Sequence, residues 1–196
     1  PDDKALIAGE FGSVNGVGPA SVSRINSDGT VDLSFMSQEG PGTELYGLAL
    51  QTDGKILISG YVPGTVVRLN PNGTLDSSFA LENPIPPDRS LLVVQRDGRI
   101  LVGGSCGGRS FCGIQRINPD GSVDPSFDPG TSTEGGSVAA IHVQDDGQIL
   151  VGGYLESFDG SPCHGLVRLN GGPEATPPVI TEQPSDQAKF VGQLAM

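Results

Sequence analysis

Apolar residues fall in short runs separated by turns rich in Gly, Asp, Asn and Pro, and this alternation persists along nearly the whole chain. One phrase opens three of the runs: Gln51-Thr52-Asp53-Gly54-Lys55-Ile56-Leu57-Ile58, Gln95-Arg96-Asp97-Gly98-Arg99-Ile100-Leu101-Val102 and Gln144-Asp145-Asp146-Gly147-Gln148-Ile149-Leu150-Val151. Asp2-Asp3-Lys4-Ala5-Leu6-Ile7 is a worn fourth copy. A second phrase keeps step with the first: Arg24-Ile25-Asn26 to Phe35, Arg68-Leu69-Asn70 to Phe79, Arg116-Ile117-Asn118 to Phe127, and a shortened Arg168-Leu169-Asn170. Its arginines step by 44, 48 and 52 residues. Two markers with one period of about 50 residues denote stacked supersecondary units.

Within a unit the order is apolar run, x-D-G turn, apolar run ending in Gly, variable loop, apolar run with Arg, N-P-D-G turn, and a last run ending in Phe. Four short runs joined by hairpin turns predict a four-stranded antiparallel meander. In the N-P-D-G turn, Pro presets the first position and Gly accepts the left-handed conformation of a bulge. With Pro119-Asp120-Gly121 as a three-residue loop, Asn118 faces Ser122, Ile117 faces Val123 and Arg116 faces Asp124. The same register sets Arg68 against Asp76 and Arg24 against Asp32. These opposite-charge pairs are expected to specify the units structurally, on one face of the hairpin, with Phe127 returning to the other, apolar face.

The first two runs of each unit, such as Leu48-Ala49-Leu50 and Val138-Ala139-Ala140-Ile141, are apolar at nearly every position. Strands of that kind are covered on both faces, as happens when sheets stack face to face. The predicted fold is all-β: a β-propeller, or propeller arc, of about four four-stranded antiparallel blades, the first and last incomplete. The units span residues 1–35, 43–79, 89–127 and 136–170. The first lacks its opening strand. The fourth loses its last hairpin at Asn170-Gly171-Gly172-Pro173 and has no Asp in the place of Asp124.

Composition fits thin units of this kind. Thirty glycines and 16 prolines in 196 residues leave 36% apolar content. The net charge of −12 excludes a nucleic-acid backbone or an anionic membrane surface as partner, since either would repel the chain. No apolar run approaches the ~18 residues of a membrane span, so no membrane insertion is expected in this segment. The chain opens Pro-Asp-Asp without Met, as a processed or cut chain would, so an export signal or anchor would lie outside it.

Few residues offer chemistry independent of the repeat. Cys106 and Cys112 flank a loop of the third unit where a hairpin could bring them together, a candidate disulfide. Their spacing, with Cys163 and His164 in the equivalent loop of the fourth unit, does not fit the usual zinc patterns. His142 stands where the other units have Ala49 and Val93, so a packed core imidazole is expected. The glycine-rich stretch Gly103 to Ser110 precedes a strand and lacks the ending of a phosphate loop. Asp-rich turns such as Asp145-Asp146-Gly147 do not form a calcium loop with a terminal Glu. Asn72-Gly73-Thr74 is a glycosylation sequon, yet the turn of the repeat accounts for it. No catalytic residue, metal ligand or cofactor is assigned from the sequence.

The phrases D-G-K-I-L-I-S-G and D-G-R-I-L-V-G-G, followed by V-R-L-N-P-N-G-T-L-D-S-S-F and Q-R-I-N-P-D-G-S-V-D-P-S-F, closely resemble the delta-60 repeat over residues 1–170. That is a propeller-type repeat of large bacterial surface and secreted proteins. Residues 171–178 read as a Gly/Pro linker. Residues 179–196 resemble the opening strands of a bacterial immunoglobulin-like domain, with Ile180, Gln183, Pro184 and Gly192 carrying the likeness. The resemblance implies a non-catalytic module of an extracellular or cell-surface protein, acting in adhesion, scaffolding or recognition of a protein or glycan ligand. Flanking blades and the immunoglobulin-like domain are the implied neighbours. The competing expectation is a carbohydrate-active or other hydrolytic propeller with carboxylates gathered at an axial pocket.

Overall fold

The computed structural model describes residues 3–17, 21–35, 37, 44–62, 66–82, 91–104, 113–128, 137–158 and 161–172. Every regular element among them is a strand. Strands β1 (Ala5–Ala8) and β2 (Val22–Ile25) form a two-stranded antiparallel sheet. A second sheet runs β3 (Leu45–Leu50), β4 (Ile56–Gly60), β5 (Val66–Leu69), and a third runs β6 (Leu91–Val94), β7 (Ile100–Gly103), β8 (Ile114–Ile117). In the fourth, β9 (Ser137–Val143) pairs with β10 (Ile149–Tyr154), a short ribbon β11 (Ser157–Phe158) and β12 (Ser161–Pro162) follows, and β13 (Leu166–Leu169) returns to the free edge of β10. The architecture is that of an incomplete β-propeller, four antiparallel sheets in chain order.

The x-D-G phrase makes the turn between the first and second strands. Gly54, Gly98 and Gly147 adopt φ of 82°, 87° and 81°, the left-handed region that glycine enters without penalty. Each turn is closed by the preceding Gln amide, as in Gln51 N–H donating to the Lys55 carbonyl at 2.8 Å. The middle strand of each sheet is then buried on both faces: β4 and β7 are buried at every position. The first strands are only partly covered, and Leu50 is exposed, because they form an edge of each sheet. Full burial of the second strand but not the first departs from the sequence expectation.

The core lies between sheets. Val22 and Phe35 of the first unit pack with Ile56, Ile58 and Leu69 of the second. Leu57, Val66 and Phe79 pack with Ile100, Val102 and Ile117 of the third. Leu101, Ile114 and Phe127 pack with Ile149, Val151 and Leu169 of the fourth. Alternate residues of a single strand therefore serve two different joints, which is why the runs are apolar throughout.

The predicted fourth strand is a single bridge in each of the first three units: Ile25 with Val31, Leu69 with Leu75, and Ile117 with Val123. The register itself is as expected, with Asn118 N–H donating to the Ser122 carbonyl at 2.8 Å and Asp124 N–H to the Arg116 carbonyl at 3.0 Å. The strand stops because the next residues turn. Asp124 Oδ1 accepts from the backbone N–H of Ser126 at 2.9 Å and from its hydroxyl at 2.7 Å, closing a local Asx turn that competes with further pairing. Asp32 with Ser34 and Asp76 with Ser78 do the same.

Candidate functional site

The recurrent polar residues converge at the joints between units. Arg116 Nε donates to Asp124 Oδ2 at 2.7 Å, and a second nitrogen, Nη2, reaches the Ser126 hydroxyl at 3.3 Å. Its Nη1 leaves the unit and donates to the carbonyl of Gly171 in the fourth unit. Arg68 repeats the arrangement, with Asp76 at 2.8 Å, Ser78 at 3.3 Å, and the carbonyl of Pro119 in the third unit. Arg24 does so with Asp32 at 2.8 Å, Ser34 at 3.3 Å, and the carbonyl of Pro71 in the second unit at 2.7 Å. One planar guanidinium thus fixes a hairpin, a turn and the neighbouring unit at once, a task suited to its rigid fork of donors.

Each guanidinium also lies over the Phe that ends its unit, 5.1 Å from the ring centroid for Arg24 and Phe35, 4.8 Å for Arg68 and Phe79, and 4.6 Å for Arg116 and Phe127. The sequence placed Phe127 on the face opposite Arg116. That expectation is corrected, because the Asx turn at Asp124 breaks the period of two and brings the ring back under the arginine. A second cation completes the site: Lys4 Nζ sits 2.7 Å from Asp32, Lys55 Nζ 2.9 Å from Asp76, and Arg99 Nε 3.5 Å from Asp124. The next unit's turn is held from the same side. A Cβ on Gly121, whose φ is 96°, would meet the Ala80 carbonyl oxygen at 2.3 Å and the Phe79 ring at 3.3 Å.

These partners set the ionisation. The Lys4 ammonium and the Ser34 hydroxyl hold the Asp32 carboxyl well below its usual range, and Lys55 and Ser78 do so for Asp76. Burial would raise Asp124, but the Ser126 hydroxyl and amide together with Arg116 outweigh it and hold the group at about 2. All three aspartates are therefore anions at neutral pH, engaged by at least one cation and a hydroxyl.

The six charged residues singled out from the sequence are thus brought together in three pairs, and the pairs are joints between units. Their membership in an inter-unit contact was not predicted, nor were Ser34, Ser78 and Ser126. The signal was present in part, since a serine recurs two residues after each aspartate. The basic residue after D-G is also informative: Lys4, Lys55 and Arg99 stand in the units with the aspartate, and Gln148 stands in the unit without it.

Elsewhere, Cys106 and Cys112 lie outside the described residues, as do residues 173–196 with the rest of the linker and the immunoglobulin-like segment. Cys163 is a free, half-buried thiol whose Sγ is 3.3 Å from the Leu155 carbonyl oxygen. His142 is exposed, contrary to the expected core imidazole, because it belongs to the face of the fourth sheet that no further sheet covers among the described residues. Among the described residues no group of three or more His, Cys, Asp or Glu could hold a metal ion. A depression of about 260 Å³ between the first strands of units three and four is lined by Val93, Gln95, Arg96, His142 and Gln144 among others, and no carboxylate contributes to its lining. At the opposite ends of the sheets stand exposed aromatics. Tyr46 and Tyr61 meet edge to face with centroids 6.1 Å apart, and the Tyr46 hydroxyl donates to Glu44 Oε2 at 2.5 Å. Tyr154, 83% exposed, follows Gly153 as Tyr61 follows Gly60.

Sheets joined by a repeated Arg-Asp-Phe arrangement define the class, a β-propeller repeat protein. The family model described as "Domain of unknown function (DUF5122) beta-propeller" matches residues 1–35, 51–79, 95–127 and 144–171, and the chain belongs to that family. It is also similar to a solved structure, a protein of unknown function from Bacteroides caccae, at 16% identity and a TM-score of 0.35, covering 84% of this chain and 72% of that one. No curated protein matches the chain. No helix among the described residues is long and apolar enough to cross a membrane.

Proposed function

We propose that the chain is a non-catalytic recognition and scaffolding module of a larger secreted or cell-surface bacterial protein. One observation carries this reading. The side chains that recur from unit to unit face the joints, whereas the large exposed aromatics vary between units: Tyr46 and Tyr61 in the second, Tyr154 in the fourth. A constant frame that displays variable surface is the arrangement of a binding module. Exposed tyrosine rings beside a carboxylate suit a sugar ring or an apolar side chain flanked by polar groups, so the ligand class is a glycan or a protein, bound in adhesion or assembly. The likeness to delta-60 repeats and to an immunoglobulin-like segment supports the extracellular setting.

The test is a binding screen of the purified chain on glycan and extracellular-protein arrays, run beside a hydrolysis panel of chromogenic glycosides and peptides. Saturable binding that falls at least about tenfold in Tyr61→Ala, with no turnover, is the expected result. Turnover of a panel member by the chain, lost on replacing a carboxylate, would establish the hydrolytic alternative instead.

A further inference from the structure

One interface is built three times inside the chain, and each of its two halves also stands alone once. The forward half consists of the second-strand Leu, the third-strand apolar residue and the Arg: Leu57, Val66 and Arg68, then Leu101, Ile114 and Arg116. In the fourth unit the same positions are Leu150, Leu166 and Arg168, paired in the same register. There Leu166 is 61% exposed where Val66 and Ile114 are 3% and 2% exposed, and Arg168 is exposed where Arg116 is buried. Ala140 and His142 extend this open face, both exposed.

The receiving half consists of two second-strand residues, the residue after the Arg, and the turn carbonyl that accepts from the previous unit's arginine: Ile56, Ile58, Leu69 and Pro71, then Ile100, Val102, Ile117 and Pro119. In the first unit these positions are Ala5, Ile7, Ile25 and Ser27. Ala5 and Ser27 are exposed, and Ile7 and Ile25 are only half-buried.

We infer that these two open halves bind each other between copies of this chain, so that the fourth sheet of one copy docks on the first sheet of a second copy, head to tail. Within the chain every forward half meets a receiving half and never another forward half, so the contact is heterologous. Arg168 reaches the Ser27 carbonyl as Arg24 reaches that of Pro71. Thr176 and Val179 stand where Asp124 and Phe127 stand in the third unit, so this joint lacks the carboxylate and the ring and is weaker than the inner ones. A net charge of −12 on each copy opposes the contact, and added salt strengthens it by screening that repulsion.

Sedimentation velocity across a range of concentrations tests this. The parent chain is expected to form dimers or a ladder of larger species as concentration rises, more so at higher salt. Leu166→Asp on the forward face and Ala5→Asp on the receiving face change exposed residues and leave each chain folded, which far-UV circular dichroism checks. Each alone weakens self-association at least about tenfold, because a carboxylate must be buried without a partner. Mixed in equal amounts, the two variants form a one-to-one pair, since one keeps its receiving face and the other its forward face. A parent that stays monomeric at every concentration overturns the inference. So does either variant that associates like the parent, or a mixture that stays monomeric.

Discussion

Arg116 and Arg168 hold the same register position in consecutive units, yet their surroundings differ in every partner. The Arg116 side chain is 1% exposed, with Asp124, Ser126, the Gly171 carbonyl and the Phe127 ring around it. Arg168 is exposed. A strand with one sequence pattern therefore supplies a buried clamp or a solvated cation depending on whether a further sheet lies against it. The recurrent residues belong to the joint more than to the strand that carries them.

Replacing the two arginines separates these roles most sharply. Arg116→Met leaves Asp124 buried without its main cation and is expected to cost about 3–5 kcal/mol, while Arg168→Met stays within about 0.5 kcal/mol, both measured by urea unfolding. The apolar counterparts follow the same logic. Leu101, fully buried between units three and four, is expected to lose about 2–5 kcal/mol on replacement by Ala, and half-buried Leu150 clearly less. Equal losses at Leu101 and Leu150 would show that the two faces of the fourth joint do not differ. At the turn that the second unit grips, Gly121→Ala puts a methyl group against the Ala80 carbonyl at positive φ and is expected to cost about 3 kcal/mol by the same measurement.

Acid should dissolve the clamps before it affects the apolar joints. The folded-state value of Asp124 is about 2, below the ordinary 3.8 that applies once the chain unfolds. Its contribution is therefore complete above the ordinary value and is lost as pH falls from there toward about 2. The loss is on the order of 2 kcal/mol for this group. Denaturant midpoints between neutral pH and pH ~2 should fall over that window and fall less in Asp124→Asn.

Much of the frame was legible in the sequence because turns and period-two alternation are local. The N-P-D-G loop fixed Arg116 opposite Asp124, and the x-D-G turn fixed the strands on either side of Gly98. The fourth strand was misjudged because the aspartate that pairs with the arginine also caps a serine two residues on, and the cap ends the pairing. That same turn moved Phe127 across to the arginine. The contact with the next unit left no mark on residue type, since its acceptor is a backbone carbonyl that Pro71, Pro119 and Gly171 supply equally well. His142 was misjudged for a different reason: equivalence to Ala49 and Val93 predicts burial only where another sheet covers the face.

The claim that these arginines hold one unit to the next is tested most directly by amide hydrogen exchange in Arg68→Met. The Pro119 carbonyl belongs to the turn closed by the amides of Asn118 and Gly121, both in the third unit. If Arg68 clamps that turn, protection at Asn118 and Gly121 falls along with protection at Asn70 and Asp76 in its own hairpin. Loss confined to the second unit, with Asn118 and Gly121 as protected as in the parent, would contradict it.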